Sequence, residues 1–215
     1  MNYQPPMDPY LDVVHQDEDV LVLNKPSGLL SVPGRQAMHK DSLQSRAQQQ
    51  FPTATTVHRL DMETSGLIVM ALNKPSHVAI SRQFEQRQIG KQYIARVSGH
   101  LVDDSGEIAA PLICDWPNRP KQIVDFEHGK QALTQWTVIS REAQTTLVSL
   151  KPVTGRSHQL RVHMLHIGHA IVGDQLYASG HALFDYDRLH LHSQTLQFTH
   201  PGIGSVMSFN EPATF

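Results

Sequence analysis

The chain is short of the features that announce the commonest specialised classes. It has one cysteine, Cys114, in 215 residues. That excludes an internal disulfide and leaves too few thiolates for a cysteine-based zinc site, which fits a reducing compartment. Aromatic residues make up only 7%. No apolar run approaches the roughly 20 residues a membrane helix requires. The segment Met1–Pro6 has neither a basic n-region nor an apolar h-region, so a soluble cytoplasmic protein is expected, with no membrane partner. Basic excess is also missing: the formal charge is −2, whereas nucleic-acid binders are often basic.

What is present qualifies that last absence. Five of the 20 acids (Asp8, Asp12, Asp17, Glu18, Asp19) fall in residues 1–19, which contain no Lys or Arg. Between Lys74 and Arg96 the balance reverses, with Lys74, Arg82, Arg87, Lys91 and Arg96 against Glu85 alone. Either a solvated helix face or a local basic surface explains such a run. Hydrophobic residues at 40% suffice for a sizeable core.

The pattern predicts alternating short strands and a few helices. Val20–Leu23 reads as a buried strand ended by the turn Asn24-Lys25-Pro26-Ser27-Gly28. Leu43–Gln50 reads as a helix stopped before Pro52, and Leu67–Leu72 as a second buried strand. A helix is expected from Pro75 to about Gln88, then a strand over Lys91–Val97. Gln135–Ser140 and Thr145–Pro152 read as a hairpin joined by Arg141–Gln144. Ser157 is expected to cap a short helix, His158–Ile167, with Gly168 at its end. Gln194–Phe198 and Ser205–Phe209 form a last hairpin. Hairpin-ordered strands with few helices indicate an α+β fold.

The segment carrying the most chemistry is His58-Arg59-Leu60-Asp61-Met62-Glu63-Thr64-Ser65-Gly66, which runs directly into Leu67–Leu72. A carboxylate on a turn fed by a buried strand is how a chain presents a reactive group, although many loop aspartates only close Asx-turns. Tyr93 sits in a strand beside Lys91, where a tyrosine can stack on a base, move a proton or simply fill the core. The stretch Thr154-Gly155-Arg156-Ser157-His158-Gln159-Leu160-Arg161-Val162-His163 gathers two arginines and two histidines at a helix start. Arg156 there suits a phosphate, and Arg161 suits bidentate pairing with a carboxylate such as Asp61. Other chemistries fit poorly. The histidines 158, 163, 166 and 169 lack a His-Glu-x-x-His pattern. Ser65 lacks the G-x-S-x-G elbow, and Gly202-Ile203-Gly204 lacks the third glycine of a dinucleotide loop.

His58-Arg59-Leu60-Asp61-x-x-Thr64-Ser65-Gly66 resembles the signature of the RluA family of pseudouridine synthases. Asn24–Gly28, Lys91-Gln92-Tyr93, Thr154–His163 and Gly173-Asp174 match its companion motifs in family order, and Pro111–Lys121 resembles a segment of its short members. The resemblance implies a mixed, mostly antiparallel sheet with flanking helices and a central catalytic cleft. It implies one catalytic domain over residues 1–215, without the N-terminal S4-type RNA-binding domain of longer relatives. The implied reaction isomerises uridine to pseudouridine in folded RNA, at uridine 32 in the tRNA anticodon stem-loop and uridine 746 in a similar 23S rRNA hairpin. Asp61 would be the essential residue, by attack on ribose or base or by proton abstraction. Tyr93 would stack on the flipped uracil and assist removal of the C5 proton, Arg161 would pair with Asp61, and Leu160 would pack near the base. Arg59 would fill the gap left by the extruded nucleotide or contact its neighbours, with His58 and Arg156 also on the RNA. Arg119 and Lys121, beside Trp116, are the candidates for further RNA contacts. No cofactor, metal or DNA is expected, and a monomer is. The rival from another class is a non-catalytic RNA-binding protein of the same fold, which would lose nothing on replacement of Asp61.

Overall fold

The computed structural model describes residues 3–215. In chain order its elements are β1 (Val13–Gln16), β2 (Val20–Lys25), α1 (Leu43–Gln50), β3 (Thr55–Thr56), β4 (Ser65–Ala71), α2 (Lys74–Glu85), β5 (Gly90–Ser98), β6 (Ser105–Ile108), β7 (Leu112–Cys114), β8 (Gln122–Val124), β9 (Thr134–Arg141), β10 (Thr145–Pro152), α3 (Gln159–His166), α4 (His181–Phe184), β11 (Leu191–Thr199) and β12 (Val206–Asn210). Two short 3-10 turns, Ala37–His39 and Trp116–Asn118, complete the set. The fold is α+β, and the chain divides into two compact units. One runs up to Lys91 and takes in His192–Thr214; the other comprises Gln92–Leu191 and Phe215.

In the first unit the strands lie in the order β1-β2-β4-β11, with β3 on β4 and β12 on β11. β4 is buried at every position, as a strand covered on both faces must be. Val20, Val22, Leu67 and Val69 pack with Ile80, Leu196 and Phe198 in one core, against which Phe84 of α2 also rests. All these pairings are antiparallel except β4 with β11, which run parallel with His192 opposite Ser65 and Ser193 opposite Gly66. That pairing explains Gly66. Its φ is +107°, and a Cβ there would stand 2.4 Å from the Ser193 carbonyl oxygen, so only glycine lets the two backbones approach.

The helices begin where their caps are written. Ser42 and Ser45 form a reciprocal capping box at α1. Asn73 accepts from the Ser76 amide at α2, with Pro75 in the first turn. α2 stops at Glu85 rather than Gln88 because Arg87 adopts φ +58°, a left-handed conformation no helix accommodates. Arg46 of α1 is fully buried. It forks onto Asp41 at 2.7 and 2.6 Å and donates to the carbonyls of Pro6 and Tyr10, tying the N-terminal segment to the helix.

The second unit is built on β5-β10-β9-β6, all antiparallel, with the β7–β8 hairpin beside it. Val162 of α3 packs with Leu112, Ala132, Val124 and Tyr177. α3 starts one residue later than expected, and Ser157 does not cap it. His158 occupies the N-cap in the left-handed region at φ +53° and makes no capping hydrogen bond. Gln159 secures the preceding turn instead. Its Oε1 accepts from Thr154 Oγ1 and the Arg156 amide, and its Nε2 donates to Leu133 O and Thr134 Oγ1.

Candidate functional site

Asp61 lies half-buried on the loop between β3 and β4, in a turn closed by the Thr64 amide donating to the Asp61 carbonyl at 3.1 Å. The residues on either side of it are held by the loop that follows β2. Ser31 Oγ donates to the Leu60 carbonyl at 2.7 Å and accepts from the Leu60 amide at 3.1 Å. The Met62 carbonyl accepts from the Gly28 amide at 2.9 Å and from Lys25 Nζ at 2.8 Å, and Ser27 Oγ donates to the Glu63 carbonyl at 2.7 Å. Five hydrogen bonds therefore fix the peptide on both sides of the carboxylate, which restricts where the Asp61 side chain can stand.

Lys25 is the centre of this clamp. It is fully buried, and its three N–H groups meet the carbonyls of Pro26, Leu29 and Met62 at 2.9, 2.7 and 2.8 Å. Burial pulls the ammonium down to about 7, opposed by the carboxylates of Glu63 and Asp61. Three acceptors match an ammonium and not a two-donor neutral amine. From the sequence, Asn24–Gly28 reads as a turn and Lys25 is not singled out; a lysine closing the apolar run Val20–Leu23 is the signal.

His58 stacks on Phe84 with centroids 4.5 Å apart, and its Nε2 accepts from the Val69 amide at 3.1 Å. Burial, reinforced by the Lys91 charge, lowers it to about 3, so the ring is neutral. Arg59 is exposed, with no ion pair among the described residues. Behind the loop, Ser65 Oγ donates to His192 Nδ1 at 2.9 Å while His192 Nε2 donates to the Glu211 carbonyl at 2.9 Å. His192 was not expected from the sequence, being 127 residues from Ser65.

In the second unit, Tyr93 is buried on β5 opposite Leu150 of β10. Leu160 and Arg161 are both buried on α3. Arg161 forks onto Asp174, Nε to Oδ2 and Nη2 to Oδ1, each at 2.7 Å, and lies over the Tyr177 ring at 5.1 Å. Asp174 Oδ1 also accepts from the amides of Leu176 and Tyr177. The Tyr177 hydroxyl takes the Gln122 amide hydrogen and shares a hydrogen bond of 2.7 Å with His158 Nδ1. Asp174 is thus a carboxylate partner of Arg161 that the sequence reading, which paired Arg161 with Asp61, did not name in that role. Arg156 is exposed before α3 and donates from Nε to the Gln131 carbonyl. Arg119 lies 4.8 Å from the ring of Trp116, itself 65% exposed, and Lys121 leads into β8. Among the described residues no group of three His, Cys, Asp or Glu side chains could hold a metal ion, and no helix is long and apolar enough to cross a membrane.

The chain as a whole is similar to known proteins. The family model for RNA pseudouridylate synthase matches residues 19–166. The dual-specificity RNA pseudouridine synthase RluA of Salmonella typhi is 55% identical over all of this chain and 98% of its own length. The protein of that name from Yersinia pestis is 56% identical over 94% of this chain and 99% of its own. Among solved structures, human RNA pseudouridylate synthase domain containing 1 superposes with a TM-score of 0.80 at 29% identity, covering 97% of this chain and 86% of that one. The family match over most of the chain, with these full-length relatives, shows that the chain belongs to the RNA pseudouridylate synthase family and is an enzyme that forms pseudouridine in RNA.

Proposed function

We propose that this enzyme, acting as a monomer in the cytoplasm, isomerises specific uridines in two structured RNAs, the anticodon stem-loop of tRNA and a similar hairpin of 23S rRNA. Asp61 is its essential carboxylate. The observation that carries the reading is the two-sided clamp on the Asp61 peptide. A loop held this firmly serves to present one side chain in one place. The dual specificity in the names of the relatives supports two RNA targets.

In the reaction the bond from ribose C1′ to uracil N1 breaks, the base turns, and C1′ bonds to C5. The C5 proton leaves and N1 gains one, so no redox equivalent enters. The uridine must first leave its stack, which costs a few kcal/mol. The exposed Arg59 fills the space it leaves. His58, fixed by Val69 and Phe84, shapes the loop beneath Arg59 at the RNA surface. Tyr93 stacks on the turned uracil and takes part in loss of the C5 proton, while Leu160 contributes an apolar wall. Arg161, oriented by Asp174, keeps the reacting carboxylate ionised. Arg156, Arg119 and Lys121 contact phosphates, and Trp116 offers its open face to a base.

The test is to incubate the purified protein with anticodon stem-loop and 23S hairpin transcripts and to assay pseudouridine, with Asp61→Asn alongside. Product on both RNAs is expected, with Asp61→Asn slower by roughly 10³-fold or more at unchanged folding. Absence of product on both transcripts, or full product from Asp61→Asn, overturns the reading.

A further inference from the structure

Lys91 opens β5 two residues before Tyr93. Its Nζ lies 5.9 Å from the centroid of the Phe84 ring, the ring on which His58 stacks. Through His58 it is therefore joined by direct contact to the Asp61 loop. Lys91 is half-buried, yet among the described residues no carboxylate and no carbonyl accepts from its ammonium. Lys25, which is fully buried, has three such acceptors. A desolvated cation without a hydrogen-bonding partner is costly, and the contact with Phe84 offsets only a fraction of that. Burial accordingly depresses its pKa with no charge acting the other way. The surroundings do not neutralise it either. Arg59 on the loop, Arg82 on α2 and Arg87 at the exit of that helix are all exposed, and no described residue forms an ion pair with them. Acids are present too, Glu85 on α2 and Asp61 and Glu63 on the loop, but among the described residues the exposed guanidiniums of Arg59, Arg82 and Arg87 form ion pairs with none of them, which leaves them open to a negatively charged ligand.

We propose that Lys91 is a phosphate-binding residue, taking a backbone phosphodiester of the RNA next to the nucleotide engaged by the Asp61 loop. The assignment rests on the reading of a folded RNA hairpin as substrate and adds a binding point to it. A phosphodiester supplies what the Lys91 ammonium lacks: a negatively charged partner with acceptor oxygens that reach it. Phe84 and His58 would then set where the amine stands, and hence the register of the strand on the loop.

The experiment measures binding of the two hairpins to Asp61→Asn protein, in which turnover is slow on the time of the measurement, with Lys91 intact or changed to Ala, Met or Arg. Salt is varied, and a single uncharged methylphosphonate linkage is moved along the loop of the RNA. Removing one phosphate contact should lower the slope of log affinity against log salt by about one. Lys91→Ala should weaken binding about tenfold, raise KM in the active protein by a similar factor and leave kcat within about threefold. Lys91→Met, which keeps the apolar stem against Phe84, should behave like Ala, and Lys91→Arg should recover most of the affinity. At one linkage the methylphosphonate should weaken binding when Lys91 is present and have no further effect in Lys91→Ala or Lys91→Met. An unchanged salt slope in Lys91→Met, or equal losses with and without Lys91 at every linkage, overturns the assignment and leaves the substrate reading standing. If protein with Lys91 intact binds neither hairpin, the substrate reading fails and the assignment fails with it.

Discussion

Lys25 Nζ donates to the Met62 carbonyl at 2.8 Å, which puts a fully buried ammonium one peptide away from Asp61. The same lysine fills the carbonyls of Pro26 and Leu29, so it joins the end of β2 to the turn that carries the carboxylate. Burying a cation to hold three carbonyls is an expensive way to stabilise a loop. It makes sense where the position of the loop matters for the reaction.

Replacing Lys25 by Met therefore separates two effects. The hydrogen bonds lost are charge-assisted, but the desolvated charge disappears too, so the net loss of stability should be about 2 kcal/mol. Activity should fall by more than that loss explains, at least tenfold in kcat with RNA affinity within about threefold. Ser27→Ala, which removes one neutral bond to the Glu63 carbonyl, should cost about 1 kcal/mol and little activity. Urea unfolding and single-turnover kinetics check both. A Lys25→Met protein that turns over at the unaltered rate would contradict the positioning role.

Gly66 and Gly168 both have positive φ, +107° and +87°, yet their substitution should differ sharply. A Cβ at Gly66 meets backbone, the Ser193 oxygen at 2.4 Å and its nitrogen at 2.6 Å, whereas nothing lies within 4 Å at Gly168. Gly168→Ala should cost about 1 kcal/mol, the penalty of the left-handed conformation alone. Gly66→Ala must also push β4 and β11 apart, so a loss of more than about 3 kcal/mol is expected. Thermal unfolding of the two variants side by side decides the matter; similar melting temperatures would contradict it.

What the sequence could and could not reveal follows the range of the interactions. α1 stands at Leu43–Gln50 as expected, because its stop signal before Pro52 is local. The buried runs Val20–Leu23 and Leu67–Leu72 and the last hairpin were likewise legible, since continuous apolar runs and turns are written within a few residues. β7 and β8, three residues each, carry too short a pattern to be seen. The site residues lay in readable motifs, but their partners are distant. Lys25 reaches Met62 across 37 positions and Ser65 reaches His192 across 127. Ser157 looked like a cap by residue type. The turn is instead organised by Gln159, whose side chain bonds to four groups, and the left-handed His158 follows from that.

His58 should give the protein a marked acid sensitivity. Its folded pKa of about 3 lies below the ordinary value of 6.5. Between those two values the unfolded chain binds a proton that the folded chain refuses. Stability from this group is therefore complete above about pH 6.5 and is lost as the pH falls toward 3, by about 2 kcal/mol between pH 7 and pH 5. His58→Gln retains an acceptor for the Val69 amide and cannot titrate, so its urea midpoint should change less over that interval. Parallel midpoint-against-pH curves for the two proteins would show that His58 is not the group responsible.

Arg161 and Asp174 form a bidentate pair with both partners buried, 3% and 0% exposed. Asp174 also terminates two backbone amides, those of Leu176 and Tyr177. Asp174→Asn removes the negative charge of this buried pair and presents an amide N–H to a guanidinium N–H. A loss of about 3–5 kcal/mol is expected. Arg161→Lys keeps the charge but not the fork, and should cost less stability because an ammonium can still reach one oxygen. The two variants distinguish support from chemistry. If Arg161 only braces α3 against the Asp174 turn, activity at a temperature where both variants are folded will follow stability, and Asp174→Asn will be the worse enzyme. If Arg161 also keeps the reacting carboxylate ionised, Arg161→Lys will be the slower enzyme despite being the more stable, and its kcat will fall with little change in RNA affinity. Comparing kcat and urea midpoint for the pair tests this, and rates that rank in the same order as stability would remove Arg161 from the catalytic step.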